Sequence, residues 1–151
     1  MLNRSSKKMQ TITRSDARKL AEKLANDRGV LGKMSAVAIH TSNKLDNVVE
    51  RSGLPMLGSF YESYLIEYAG DLPWRSSTQR TSLPFTTCAE AHLWCELIAR
   101  GKDPKKYILF AFNAGGRIAS PCDNCQEWVR DAFKEVYQET TIYHPARQGT
   151  A

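Results

Sequence analysis

Cysteine placement constrains this chain more than any other feature. Cys88 opens an apolar helical stretch, while Cys122 and Cys125 form a C-x-x-C pair behind Pro121. A disulfide framework needs a short, cysteine-dense, loop-rich chain. Here four cysteines are spread over 151 residues, 42% of them apolar, which is enough material for one ordinary domain with its own core. The C-x-x-C pair therefore reads as metal or redox chemistry in a reducing compartment. If Cys88 works with that pair, the fold must bring two separated stretches to one place. Cys95, two helical turns beyond Cys88, reads as a buried core thiol.

The apolar pattern indicates how such convergence could arise. Ala17, Leu20, Ala21 and Leu24 recur at helical spacing, predicting a helix from about Ser15 to Asp27. Thr13 and Asp16 resemble a capping box at its start, and Gly29 and Gly32 mark its end. Met34 to His40 reads as a strand, and Asp46 to Glu50 as a second. Residues 59–69 (SFYESYLIEYA) suit a helix or a strand, and 71–82 (DLPWRSSTQRTS) a polar loop. Cys88 to Arg100 predicts a helix apolar on most faces, closed by Gly101 and buried between layers. Lys106 to Phe112 is continuously apolar, as suits a central strand. Residues 113–121 form a Gly-containing loop, 122–137 a second helix, and Thr140 to Tyr143 a final short strand. Alternation of strands and helices implies an α/β layered fold with a mixed sheet. Residues 1–14 read as a basic, flexible arm and 15–151 as a single domain.

In this layout Cys88 and Cys122 each begin a helix, with one strand between the two helices. Parallel helices linked in this way can direct their N-termini at one sheet edge, where α/β sites form. Cys122 and Cys125, at i and i+3, share a helical face. Three thiolates can then hold one zinc ion per chain and leave its fourth position to water, the pattern of a catalytic site. The metal lowers the pKa of that water towards neutrality. Helix N-termini directed at the site offset part of the thiolates' negative charge. Glu90, two residues beyond Cys88, is close enough to exchange protons with the water and is not needed as a ligand.

Cys88-Ala89-Glu90 followed by Pro121-Cys122-Asp123-Asn124-Cys125 resembles the cytidine deaminase superfamily, over roughly residues 83–143. The resemblance implies an α-β-α sandwich with a mixed five-stranded sheet flanked by helices. It implies zinc on Cys88, Cys122 and Cys125, with Glu90 as proton carrier. It also implies that the Ala89 amide approaches the base carbonyl and the Ser120 carbonyl the exocyclic amine. Ala91 stands where free-nucleoside deaminases with a cysteine first ligand carry arginine. The Cys-Ala-Glu and Pro-Cys-x-Asn-Cys motifs are more similar to bacterial polymorphic-toxin deaminases such as the YwqJ-like group. That relation implies action in a reducing cytoplasm after delivery as part of a secreted toxin, with an immunity protein as a partner.

Several residues carry two readings. Trp74, beside Arg75 in the polar loop, either stacks a splayed base or caps the core. Phe85 is a candidate for lining the base pocket, and Asn43 and Asn47 for contacting sugar. His92 either orients Glu90 or packs its helix. The net charge of +5 favours an acidic partner such as single-stranded DNA or RNA, with Lys7, Lys8, Arg14, Arg75 and Arg80 as phosphate contacts. A deaminase of free (deoxy)cytidine or a related small molecule remains the alternative, and a non-catalytic zinc-stabilised binding module the third. No run of about 18 apolar residues exists to cross a membrane, so no membrane partner is expected.

Overall fold

A computed structural model of the chain describes residues 12–27, 34–53, 67, 72–75, 77–78, 88–121 and 124–137. Its elements run α1 (Arg14–Asp27), β1 (Ser35–His40), β2 (Asn43–Arg51), α2 (Ala89–Ala99), β3 (Tyr107–Phe112), β4 (Ile118–Ala119), α3 (Gln126–Ala132) and β5 (Glu135–Val136). Thr13 Oγ1 accepts the Asp16 backbone N–H at 3.1 Å, satisfying one of the N–H groups left over at the start of α1. The backbone N–H of Ile12 donates to Thr41 O at 3.0 Å, docking the entry to α1 on the β1–β2 turn.

The strands form one mixed five-stranded sheet. β2 pairs antiparallel with β1, and β1 antiparallel with β3. The other edge of β3 is shared: β4 pairs antiparallel with Ala111 and Phe112, and β5 parallel with Ile108 and Leu109. All six residues of β3 are buried, as its continuous apolar character requires of a central strand. Side chains alternate between the two faces. Ala36, Ala38, Val48, Tyr107 and Leu109 face α2 and α3. Val37, Ile39, Val49, Ile108, Phe110 and Phe112 face Ala17, Ala21 and Ala25 of α1. The result is an α/β sandwich with a helical layer on each side of the sheet.

α2 ends in the predicted glycine. Gly101 adopts φ +73°, a left-handed conformation that suits glycine, and Lys102 N–H reaches back to Leu97 O at 2.8 Å. The last predicted helix is shorter than its apolar stripe suggests. α3 stops at Ala132; Phe133 is extended, and Lys134 and Tyr137 donate their backbone N–H groups to Tyr107 O and Leu109 O. Pairing with the open edge of β3 overrides helical periodicity there. The 113–121 loop also contains the short strand β4, with Asn113 Oδ1 accepting Gly115 and Arg117 N–H groups across the turn. Residues 59–69, Glu67 apart, and the strand predicted over Thr140 to Tyr143 lie outside the described residues.

Candidate metal centre

The site is built where two helices begin. Cys88 occupies the cap position of α2 in extended conformation, and its carbonyl accepts the His92 N–H at 3.0 Å. Glu90 therefore falls in the first turn of α2. Cys125 directly precedes α3, and its carbonyl accepts the Val129 N–H at 3.1 Å. It caps that helix; it does not lie one turn inside, as a helix starting at Cys122 would have put it. The Gln126 side-chain amide donates to Pro121 O at 3.1 Å, tying the start of α3 to the residue ahead of the C-x-x-C pair.

The Sγ atoms of Cys88 and Cys125 and a carboxylate oxygen of Glu90 all lie within 4.8 Å of one another. Ligand atoms around a single tetrahedral zinc stand about 3.3–3.8 Å apart, given bonds of about 2.0–2.3 Å. The cluster is therefore of the right size to close on one ion with small side-chain movements. Two thiols with a carboxylate are also a chemically suitable donor set for a borderline-soft divalent metal. Cys122 lies outside the described residues, so the third thiol of the expected set is not placed.

Burial sharpens the picture. Glu90 is only 1% exposed, and Cys125 is fully buried, whereas Cys88 is half-buried. Taking a carboxyl group out of water is unfavourable unless partners compensate. Among the described residues only Ser35, Glu90 and Asn124 are buried and polar. Two of those three are at this site: Glu90 in the cluster and Asn124 next to Cys125. Asn124 had no role in the sequence reading, although it sits inside the Pro-Cys-Asp-Asn-Cys motif that could have flagged it.

The proposed substrate contacts fare unevenly. Ala89 is buried beside Cys88 and Glu90, and Ser120 is half-buried next to Pro121. Phe85, Lys7, Lys8 and Arg80 lie outside the described residues. Trp74 is a correction: it is 6% exposed and packs edge-on against Trp94 and Trp128, with ring centroids 5.6 and 5.2 Å away. An indole enclosed in this way offers no open face to a base, so Trp74 caps the core. Asn43 is a second correction. Its Oδ1 accepts the Leu45 N–H at 3.1 Å in the β1–β2 turn. Strand register aligns that turn with His40 and Tyr107, at the start of β3. The ion pair of Lys102 with Asp46, at 3.3 Å, fixes the same end of β2 to the C-terminal end of α2. Cys88 lies at the other end of α2, about 16 Å away by helix rise. Asn47 likewise donates to Lys44 O at 2.9 Å, within the start of β2. Arg14 is paired with Glu135 at 2.6 Å, while Arg75 is exposed.

A groove of about 440 Å³ opens beside the later turns of α2 and α3, floored by Trp94, Ile98, Trp128 and Ala132 and rimmed by Lys102 and Asp131. Cys88, Glu90 and Cys125 do not line it. This groove and the donor cluster are separate.

No described helix is long and apolar enough to cross a membrane. Comparison with family models, curated proteins and solved structures finds no match to this chain.

Proposed function

We propose that this protein is a zinc-dependent hydrolytic deaminase of a nucleobase, acting on cytosine in single-stranded nucleic acid. The observation that carries the reading is Glu90, a carboxyl group buried at a helix start with its oxygen within 4.8 Å of two thiols. Burying a carboxylate is costly for a core, whereas a carboxylate beside a metal can move protons.

In this reading Cys88, Cys125 and Cys122 hold the zinc. When bound, the metal supplies Lewis acidity that makes water a nucleophile near neutral pH. Glu90 takes one proton from the attacking water and delivers it to the ring nitrogen as the C–O bond forms. It then carries the second proton, from the new hydroxyl on that carbon, to the amine, so that the C–N bond breaks and ammonia leaves. The Ala89 amide and the Ser120 carbonyl orient the base. Burial of Glu90 and Cys125 keeps them from bulk water, which strengthens the electrostatic contacts they make.

Glu90's proximity to both sulfurs also permits a second reading, in which the carboxylate is itself a ligand and the metal is structural. Deamination of a substrate panel, read by product mass, separates the readings. Conversion of cytosine in an oligonucleotide with Glu90-dependent turnover supports the first. Preference for cytidine, insensitive to salt, moves the assignment to free nucleosides; the burial of Trp74 removes one argument for the polymer. Metal release from Glu90→Ala, without deamination of any substrate, supports the structural reading.

A further inference from the structure

The two described thiols of the cluster are also placed for chemistry that needs no metal. The sulfurs of Cys88 and Cys125 lie within 4.8 Å of each other, and both residues are thiols. A disulfide has an S–S length of about 2.05 Å, so closure requires an approach of at most about 2.7 Å. Both residues stand just ahead of a helix, outside the sheet ladders. Side-chain rotation and adjustment of a helix end can supply the movement while the five strands keep their register. The two thiols also differ in access. Cys88 is half-buried and Cys125 fully buried, so an oxidant from solvent meets Cys88 first and Cys125 stands behind it.

We infer that Cys88 and Cys125 form a reversible redox pair whose oxidation excludes metal. A peroxide oxidises the Cys88 sulfur to a sulfenic acid and leaves as one water. The Cys125 sulfur then attacks the Cys88 sulfur, forming the S–S bond and releasing the hydroxyl as a second water. Two thiols and one hydrogen peroxide thus give one disulfide and two waters. A dithiol reductant reverses the step by thiol–disulfide exchange. Sulfur bound in a disulfide is no longer a thiolate ligand, so the oxidised chain loses two donors at once. The disulfide itself follows from the thiol geometry alone; its exclusion of metal rests on the reading of the cluster as a zinc site.

The test treats the full chain with hydrogen peroxide, metal-free and zinc-loaded, then blocks remaining thiols and maps cross-linked peptides by mass. The expected result is a Cys88–Cys125 link in the metal-free chain, suppressed by saturating zinc and removed by dithiothreitol. The oxidised chain should lose its stoichiometric zinc uptake, read with a colorimetric chelator, and regain it on reduction. Cys88→Ser and Cys125→Ser should each abolish the link, while Cys95→Ser retains it; circular dichroism checks that each variant is folded. A Cys122–Cys125 link in place of the expected one, or no link in a folded chain, overturns the inference. If the link forms but the reduced chain takes up no zinc, the redox pair stands and the metal reading fails. If zinc binds stoichiometrically and no link forms, the metal reading stands and the redox pair fails.

Discussion

The two faces of the sheet are covered by helices of opposite character. α1 meets its face with Ala17, Ala21 and Ala25, a stripe of single methyl groups against Val37, Ile39 and Phe110. α2 and α3 meet theirs with Leu93, Trp94, Leu97 and Trp128, joined by Trp74 from the preceding loop. The donor cluster lies on the second face, where Cys125 belongs to the same buried core as those aromatics. Alanines allow close approach at little side-chain entropy cost but bury little area. Tryptophans bury far more area per side chain. One layer is a light cover, and the other encloses a site.

The sharpest way to break that contrast is at the site. Glu90→Ala should lower turnover by a factor of about 100 to 10,000 in a product-mass assay, with the fold intact by circular dichroism. Retention of activity would remove the functional meaning of the buried carboxylate. Next in size, Trp128→Ala should destabilise the chain by about 3–5 kcal/mol in denaturant titration, because it opens a cavity next to Trp74 and Phe133. On the light face, Ala21→Leu should cost about 1–3 kcal/mol by overpacking against the sheet and leave zinc stoichiometry unchanged. If Ala21→Leu released the metal, the two faces would not be independent. The smallest effect is expected at the end of α1: Thr13→Ala should cost about 1 kcal/mol through loss of its cap bond.

Tyr107 adds a dependence on pH to the enclosed face. Burial, followed by the neighbouring Asp46 carboxylate, pushes its ionisation far above the ordinary tyrosine range. The folded chain therefore holds the phenol protonated more strongly than the unfolded chain does. Its contribution is complete below the unfolded value of about 10 and falls away as pH rises beyond it. Tyr107→Phe should flatten the alkaline loss of stability measured by denaturant midpoints between pH 8 and pH 11 (roughly one unit or more to either side of that value).

Much of this was legible in the sequence, for identifiable reasons. Thr13 with Asp16, the alanines of α1, the run Tyr107–Phe112 and Gly101 are local signals, and each acts locally in the fold. Cys88, Glu90 and Cys125 could be grouped because a motif encodes their convergence, and the structure brings these three together. Trp74 was misleading because its neighbours in sequence are polar, while its neighbours in space are Trp94 and Trp128. The end of α3 was equally hidden. Phe133 and Val136 fit a helical stripe, and only the vacant half-edge of β3 makes Glu135 and Val136 a strand. Asn43 looked available for a ligand because the sequence does not show that its turn lies at the far end of α2.

The shared edge of β3 has a consequence for how firmly the cluster is held. β4 and β5 fasten both ends of residues 120–134 to one strand, and Cys125 rides on the closed segment between them. A ligand on a short tether is presented at a high effective concentration, because the loop entropy has already been given up in forming the sheet. Cys88 thus meets Cys125 much as one arm of a chelator meets the other. Fraying of the two residues of β5 would lengthen that tether and weaken the grip on a metal while every donor atom stayed chemically intact.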